Sequence, residues 1–215
     1  MPRPNLIRTH LYPYHVTIRT NNKEWFDIPI DRVWEFCLKS LVEANQVHQV
    51  RLISFVLMSN HYHMILKTPD CNLDKFMYEF NKRLSLRIRK ESRRINSVFG
   101  RRYKWCLIKS QTYLYNCYRY VYQNPLRAGL TDNVANYPYS SLYYLVNGKQ
   151  FPIVLVDSFG FKDQFALTWL NKTIGQVEIE GVRRGLHSSS LKDLKSRTSR
   201  KSLTHLSYQK SPGTN

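Results

Sequence analysis

The chain has 215 residues, 42% of them hydrophobic, with 33 Lys and Arg against 15 Asp and Glu, a formal net charge of +18. That apolar share supports a packed core and excludes disorder throughout, and the length fits one ordinary domain plus an extension. No run approaches the roughly 18 apolar residues of a membrane helix, and Met1 to Arg8 lacks an apolar signal core, so a cytoplasmic chain with no membrane contact is expected.

Tyr12 to Thr20 (YPYHVTIRT) alternates around β-branched and aromatic residues and predicts a strand. Asp31 is placed to cap a helix to about Gln46, because Val33, Trp34, Cys37, Leu38, Leu41 and Val42 recur at helical spacing. Gln49 to Met58 is strand-like, and Ser59-Asn60 signals a tight turn into a second strand, His61 to Lys67. Asn72 opens a helix from Leu73 to about Arg93, with Phe76, Phe80, Leu84 and Ile88 on one stripe. A strand is expected at Tyr103 to Lys109. A helix follows from Thr112 to about Asn124, ended by Pro125, which cannot continue the hydrogen-bond ladder.

The order β-α-β-β-α-β plus a helix predicts an α/β (α+β) chain with a ferredoxin-like split βαβ sandwich and an antiparallel sheet. Residues 1–150 read as the domain proper and 151–180 as a short helical extension, with a helix at Gln164 to Leu170. Residues 181–215 carry eight basic residues against Asp193 alone and read as a flexible basic tail. Cys37, Cys71, Cys106 and Cys117 form no Cys-x-x-Cys pair and read as reduced thiols rather than a zinc site.

Two strings carry chemistry. In Met58-Ser-Asn-His-Tyr-His-Met64 the imidazoles of His61 and His63 lie two residues apart, so on a strand they share a face while Tyr62 and Met64 point away. Two imidazoles on one face suit a divalent cation, although two ligands alone bind weakly and both rings could be ordinary polar strand residues. In Tyr120-Val-Tyr-Gln-Asn124 a phenol and an amide lie one helical turn apart, with Arg127 close beyond. Asn124 is a candidate third ligand; alternatively it closes the helix by satisfying loose carbonyls. A phenol with a pKa near 10 is a weak nucleophile at neutral pH, and a cation that polarises a phosphate supplies what it lacks. Tyr113, Tyr115, Tyr118 and Tyr122 crowd the same segment, and any of the five could be core or stack on bases.

The charge is concentrated. From Lys82 to Lys109 there are eleven basic residues and one acid, Glu91, a distribution that favours a polyanion, nucleic acid first. The basic side of the predicted helix after Asn72 reads as a phosphate-binding face rather than a merely solvated one. The expected DNA contacts are Arg83, Arg87, Lys90, Arg94, Arg101, Arg102, Lys104 and Arg127, with Tyr103 and Trp105 available for stacking on unpaired bases.

His61-Tyr62-His63 resembles the His-hydrophobic-His motif of HUH endonucleases. Tyr120-Val-Tyr-Gln-Asn-Pro-Leu-Arg-Ala-Gly-Leu130 resembles the tyrosine-helix signature of single-tyrosine transposases, in particular the REP-associated tyrosine transposases. Phe99-Gly-Arg-Arg-Tyr-Lys104 and Tyr137-Pro-Tyr-Ser-Ser141 extend the likeness over roughly residues 10–148. The resemblance implies that His61, His63 and Asn124 hold Mg²⁺ or Mn²⁺. It implies that Tyr120 attacks single-stranded, hairpin-forming DNA to leave a 5′-phosphotyrosine and a free 3′-OH. A monomer is favoured, as in the REP-associated branch, with a dimer whose tyrosine helix completes the partner's site as the alternative, and nucleoid association is expected when DNA is bound. Tyr62 is bulkier than the usual aliphatic at its position. The alternatives are a DNA-binding protein of the same fold without cleavage, and an RNA-binding module.

Overall fold

The computed structural model describes residues 5–156 and 164–186. Strands β1 (Tyr14–Arg19), β2 (Arg51–Leu57), β3 (His61–Lys67) and β4 (Lys104–Leu107) form one antiparallel sheet in the order β2-β3-β1-β4. Helices α1 (Ile30–Val47) and α2 (Leu73–Glu91) supply the connections between β1 and β2 and between β3 and β4. This is the expected split βαβ plan, and it puts β1 and β3 at the centre of the sheet.

Alternation along the strands sorts the side chains into two cores. Tyr14, Val16, Ile18, Tyr62, Met64 and Leu66 face α1 and α2, packing against Val33, Trp34, Leu41, Phe76, Phe80 and Leu84. On β2, Leu52 and Phe55 both belong to this core although three residues separate them. A register shift between Leu52 and Ser54 makes that possible by inserting one residue. Tyr62, too large for an aliphatic niche, fits because its hydroxyl donates to Asn81 Oδ1 on α2 at 2.7 Å.

The opposite face is covered by α3 (Gln111–Tyr122), α4 (Asn124–Arg127), α5 (Ser141–Val146), α6 (Gln164–Asn171) and α7 (Gln176–Gly185). Its core joins Ile53, Val56 and Ile65 of the sheet to Cys117, Tyr118, Tyr120, Val121 and Tyr122 of α3 and to Leu142, Leu170, Ile179 and Val182. Ser110 caps α3, accepting from the Tyr113 backbone N–H at 3.2 Å.

Several expectations need correction. Asp31 lies inside the first turn of α1 with Pro29 at the cap position, and its carboxylate instead accepts from the Tyr139 hydroxyl at 2.9 Å. Pro125 does not end the helical path: α3 stops at Tyr122, and Pro125 enters the first turn of α4, where a missing N–H is harmless. Gly181 to Gly185, read as the start of a flexible tail, belong to α7, which buries Ile179 and Val182 in the second core. The remainder of that tail, from residue 187 onward, lies outside the described residues. Among the described residues no helix is long and apolar enough to cross a membrane.

Candidate active site

β3 carries His61 and His63 on the face covered by α3, and β1 lies beside it with Thr17 opposite His63 and Arg19 opposite His61. Side chains two apart share a face, so His15, Thr17 and Arg19 of β1 join the two histidines. Into this patch α3 delivers one phenol. The Tyr120 ring lies 5.5 Å from His63 and 6.0 Å from His15, both edge-on. The Arg127 guanidinium covers the Tyr120 ring at 4.4 Å.

The other four tyrosines of the segment have different tasks. Tyr122 shares a hydrogen bond with Ser141 Oγ at 2.8 Å, Tyr118 packs against Tyr122, Tyr115 meets Trp169, and the Tyr113 hydroxyl points at the Cys106 thiol. Tyr120 is the one whose ring is seen against the imidazoles among the described residues.

The hydrogen bonds of His61 can be followed outward. Asn60 Nδ2 donates to the Lys23 carbonyl at 2.7 Å, which fixes the amide orientation and leaves Oδ1 as an acceptor. His61 Nδ1, 2.7 Å from that oxygen, must therefore carry the proton, and Nε2 keeps its lone pair. His63 Nδ1 lies 3.0 Å from Nε2 of His15, a fully buried histidine that pattern reading did not single out. A His at the second place of an alternating strand gave no signal of its own; only the pairing of β1 with β3 reveals it.

Burial keeps these rings neutral. His61 is pulled down to about 4, by desolvation first and then by the positive charges of Arg19 and Arg127. His63 falls well below the ordinary histidine value from desolvation, with neighbouring His15, His61, Arg127 and Arg19 adding to it. His61, with its proton on Nδ1, keeps the Nε2 lone pair, and neutral imidazole of this kind is donor chemistry that fits a divalent cation.

Asn124 is differently employed. Its Nδ2 donates to the carbonyls of Tyr120 and Val121, at 2.9 and 3.3 Å, and its Oδ1 accepts from Arg127 at 3.0 Å. The amide thus satisfies the last carbonyls of α3, and the Arg127 guanidinium holds its oxygen. Among the described residues no group of three or more His, Cys, Asp or Glu is arranged to hold a metal.

A sequence profile of the family described as "Transposase IS200 like" matches residues 8–124, from the segment before β1 to the end of the tyrosine helix. The chain belongs to the IS200-like transposase family. No curated protein is significantly similar to it. Among solved structures, a REP-associated tyrosine transposase bound to a REP hairpin shares its fold. That match has a TM-score of 0.60 at 15% identity and covers 75% of this chain and 95% of the other.

In this transposase the basic residues divide by face. Arg83 and Arg87 lie on α2, across the sheet from the histidines, and both pair with Glu43 of α1; Arg83 also pairs with Glu79. Arg94 pairs with Glu24. The reading of this helix side as a phosphate-binding face is therefore corrected at Arg83 and Arg87: Glu79 lies one turn before Arg83, and Glu43 is supplied by the neighbouring helix. Lys90 is exposed in the last turn of α2. Lys104 is on the site face, opposite Thr17, and its pKa is lowered by partial burial and then by Arg101 and Arg19 nearby. Arg101 and Arg102 are exposed beside it. Arg19, which sequence reading passed over, thus joins Lys104, Arg101 and Arg127 in a cationic lip around the imidazoles.

Proposed function

We propose that the chain is a metal-dependent transposase that cuts and rejoins single-stranded DNA at hairpin-associated sites, with Tyr120 as nucleophile. The observation that carries this reading is that one phenol of five on α3 lies against His63, beneath Arg127. Further support comes from the family, and from the fold shared with a transposase bound to a hairpin.

The roles follow from the chemistry. The Tyr120 oxygen bonds to phosphorus and the bond to the 3′ oxygen breaks. The DNA 5′ end is left on the tyrosine, and the departing 3′ oxygen takes up a proton as a free 3′-OH. Rejoining runs the same exchange backwards with a 3′-OH as the attacking group. Arg127, over the ring that becomes phosphorylated, neutralises charge on the phosphate, and Arg19, Lys104, Arg101 and Arg102 hold the flanking backbone. His61 and His63 would hold Mg²⁺ or Mn²⁺ through Nε2, and that ion supplies polarisation of the phosphate and stabilisation of the leaving oxygen. Asn124 Oδ1, which accepts from Arg127, retains a second lone pair and would be the third donor to that ion.

Incubating the protein with single-stranded hairpin DNA and Mn²⁺ tests the reading. A denaturation-resistant protein–DNA adduct is expected, absent in Tyr120→Phe and retained in Tyr115→Phe and Tyr122→Phe. Hairpin binding should be nearly the same in all of them, since only one oxygen is lost. An adduct that persists in Tyr120→Phe removes the nucleophile assignment.

A further inference from the structure

His61 and His63 each have Nδ1 held by a neighbour, but only one of those neighbours has a fixed polarity. For His61 the polarity is fixed: the Lys23 carbonyl orients Asn60, and Asn60 Oδ1 makes His61 Nδ1 the donor. For His63 the partner is another imidazole, His15 Nε2 at 3.0 Å, and one of the two nitrogens must carry the proton.

The two arrangements are not equivalent at His63. If His15 donates from Nε2, His63 carries its own proton on Nε2 and has no lone pair to offer on that side. If His63 donates from Nδ1, its Nε2 is a free lone pair and His15 is the acceptor. His15 Nδ1 is buried and has no hydrogen-bond partner among the described residues, whichever arrangement holds. No third residue therefore dictates the tautomer of His15, and it can follow His63. Both rings are buried between the sheet and α3, so the pair settles the proton between its own nitrogens.

We propose that His15 is the positioning residue of this site: its Nε2 accepts the Nδ1–H of His63 and so sets the ring that offers Nε2 to a divalent cation. This rests on the reading of His63 as a metal ligand. The strand pairing makes the contact stiff, since β1 and β3 are neighbours in the centre of the sheet and both rings rise from the same face. His15 plays for His63 the part that Asn60 plays for His61, and outer partners of this kind commonly change metal affinity 10- to 100-fold when removed.

The test uses the full-length chain, with Mn²⁺ alone as the probe and free Mn²⁺ followed by electron paramagnetic resonance. His15→Phe keeps the ring volume without an acceptor, and His15→Gln returns an acceptor oxygen. Mn²⁺ binding should weaken about 10- to 100-fold in His15→Phe and recover to within about threefold of the parent in His15→Gln, with both proteins folded by circular dichroism. Parent-like affinity in His15→Phe, or equal loss in both variants, overturns the proposal. A parent chain that binds no Mn²⁺, or binds it unchanged after His61→Ala, overturns the metal reading itself and this inference with it. Where His15→Phe does not fold, nitrogen-15 spectra of the parent chain in saturating Mg²⁺ decide. The His63 proton is expected on Nδ1 with coupling to His15 Nε2, and a His63 proton found on Nε2 overturns the proposal.

Discussion

Two buried histidines, His15 and His63, and the partly buried His61 make the metal-free chain sensitive to acid. In the unfolded chain His15 takes a proton below its ordinary value of 6.5, whereas burial holds it near 3 in the fold. Between those values the unfolded state binds more protons, so stability must fall as pH falls, by up to about 1.4 kcal/mol per pH unit for this group. It is fully present above pH 6.5 and exhausted near 3. His61, lowered to about 4, and His63 act in the same direction. Urea unfolding in chelator at pH 7, 6 and 5 should show this fall, with a shallower dependence in His15→Phe; identical dependence in the two proteins would contradict a neutral buried ring. Asn124 supplies a second prediction at this scale. Its amide satisfies two α3 carbonyls and holds Arg127, so Asn124→Ala should lose about 1–3 kcal/mol of stability. As third ligand it should also raise the Mn²⁺ concentration needed for adduct formation. A loss of stability with an unshifted Mn²⁺ titration would leave Asn124 as a structural residue alone.

At the scale of elements, the two basic regions should behave differently toward DNA. On α2, Arg83 and Arg87 are committed to Glu43 and lie behind the sheet. Such part-exposed pairs contribute about 0–1 kcal/mol to stability. Replacing both with Ala should therefore change hairpin affinity and its salt dependence very little. Arg19 and Lys104 stand on the site face with like charge for company. Each phosphate contact removed should lower the slope of log K against log salt by about 0.7 for single strands. The double variant Arg19→Ala, Lys104→Ala is expected to lose about 1.4 in that slope. A larger loss from the α2 pair than from the β1–β4 pair would move the DNA path to the other face.

For the whole molecule, the placement of Tyr120 beside His63 of its own chain favours a site complete in one copy. The link Ile108-Lys109-Ser110 between β4 and α3 is short, and α3 is pinned to β2 and β3 and to α7 through a shared core. Mixing Tyr120→Phe protein with a His61→Ala, His63→Ala protein should then give no adduct, as a monomeric enzyme requires. Recovery of adduct in the mixture would mean that the tyrosine helix serves a neighbouring copy.

Much of this was legible in the chain alone. Alternation and helical spacing located the four strands and the first three long helices because those periods record which side of each element meets a core. The shared face of His61 and His63 followed from the pleat, and the motifs around them and Tyr120 carried the family. The ends of elements were less legible: Pro125 and Gly181 read as stops, yet each fits inside a helix whose burial was set by distant residues. What only the tertiary structure decided were partnerships across elements. Strand pairing brought His15 to His63, and helix packing gave Arg83 and Arg87 to Glu43. The seating of α3 on the sheet laid the ring of Tyr120, the tyrosine the resemblance had already implied, against His63 and turned Asn124 toward its own helix. Periodicity reports which face a side chain occupies, but a hydrogen bond or ion pair depends on what lies opposite, and that is fixed only when the sheet order and the helix positions are fixed.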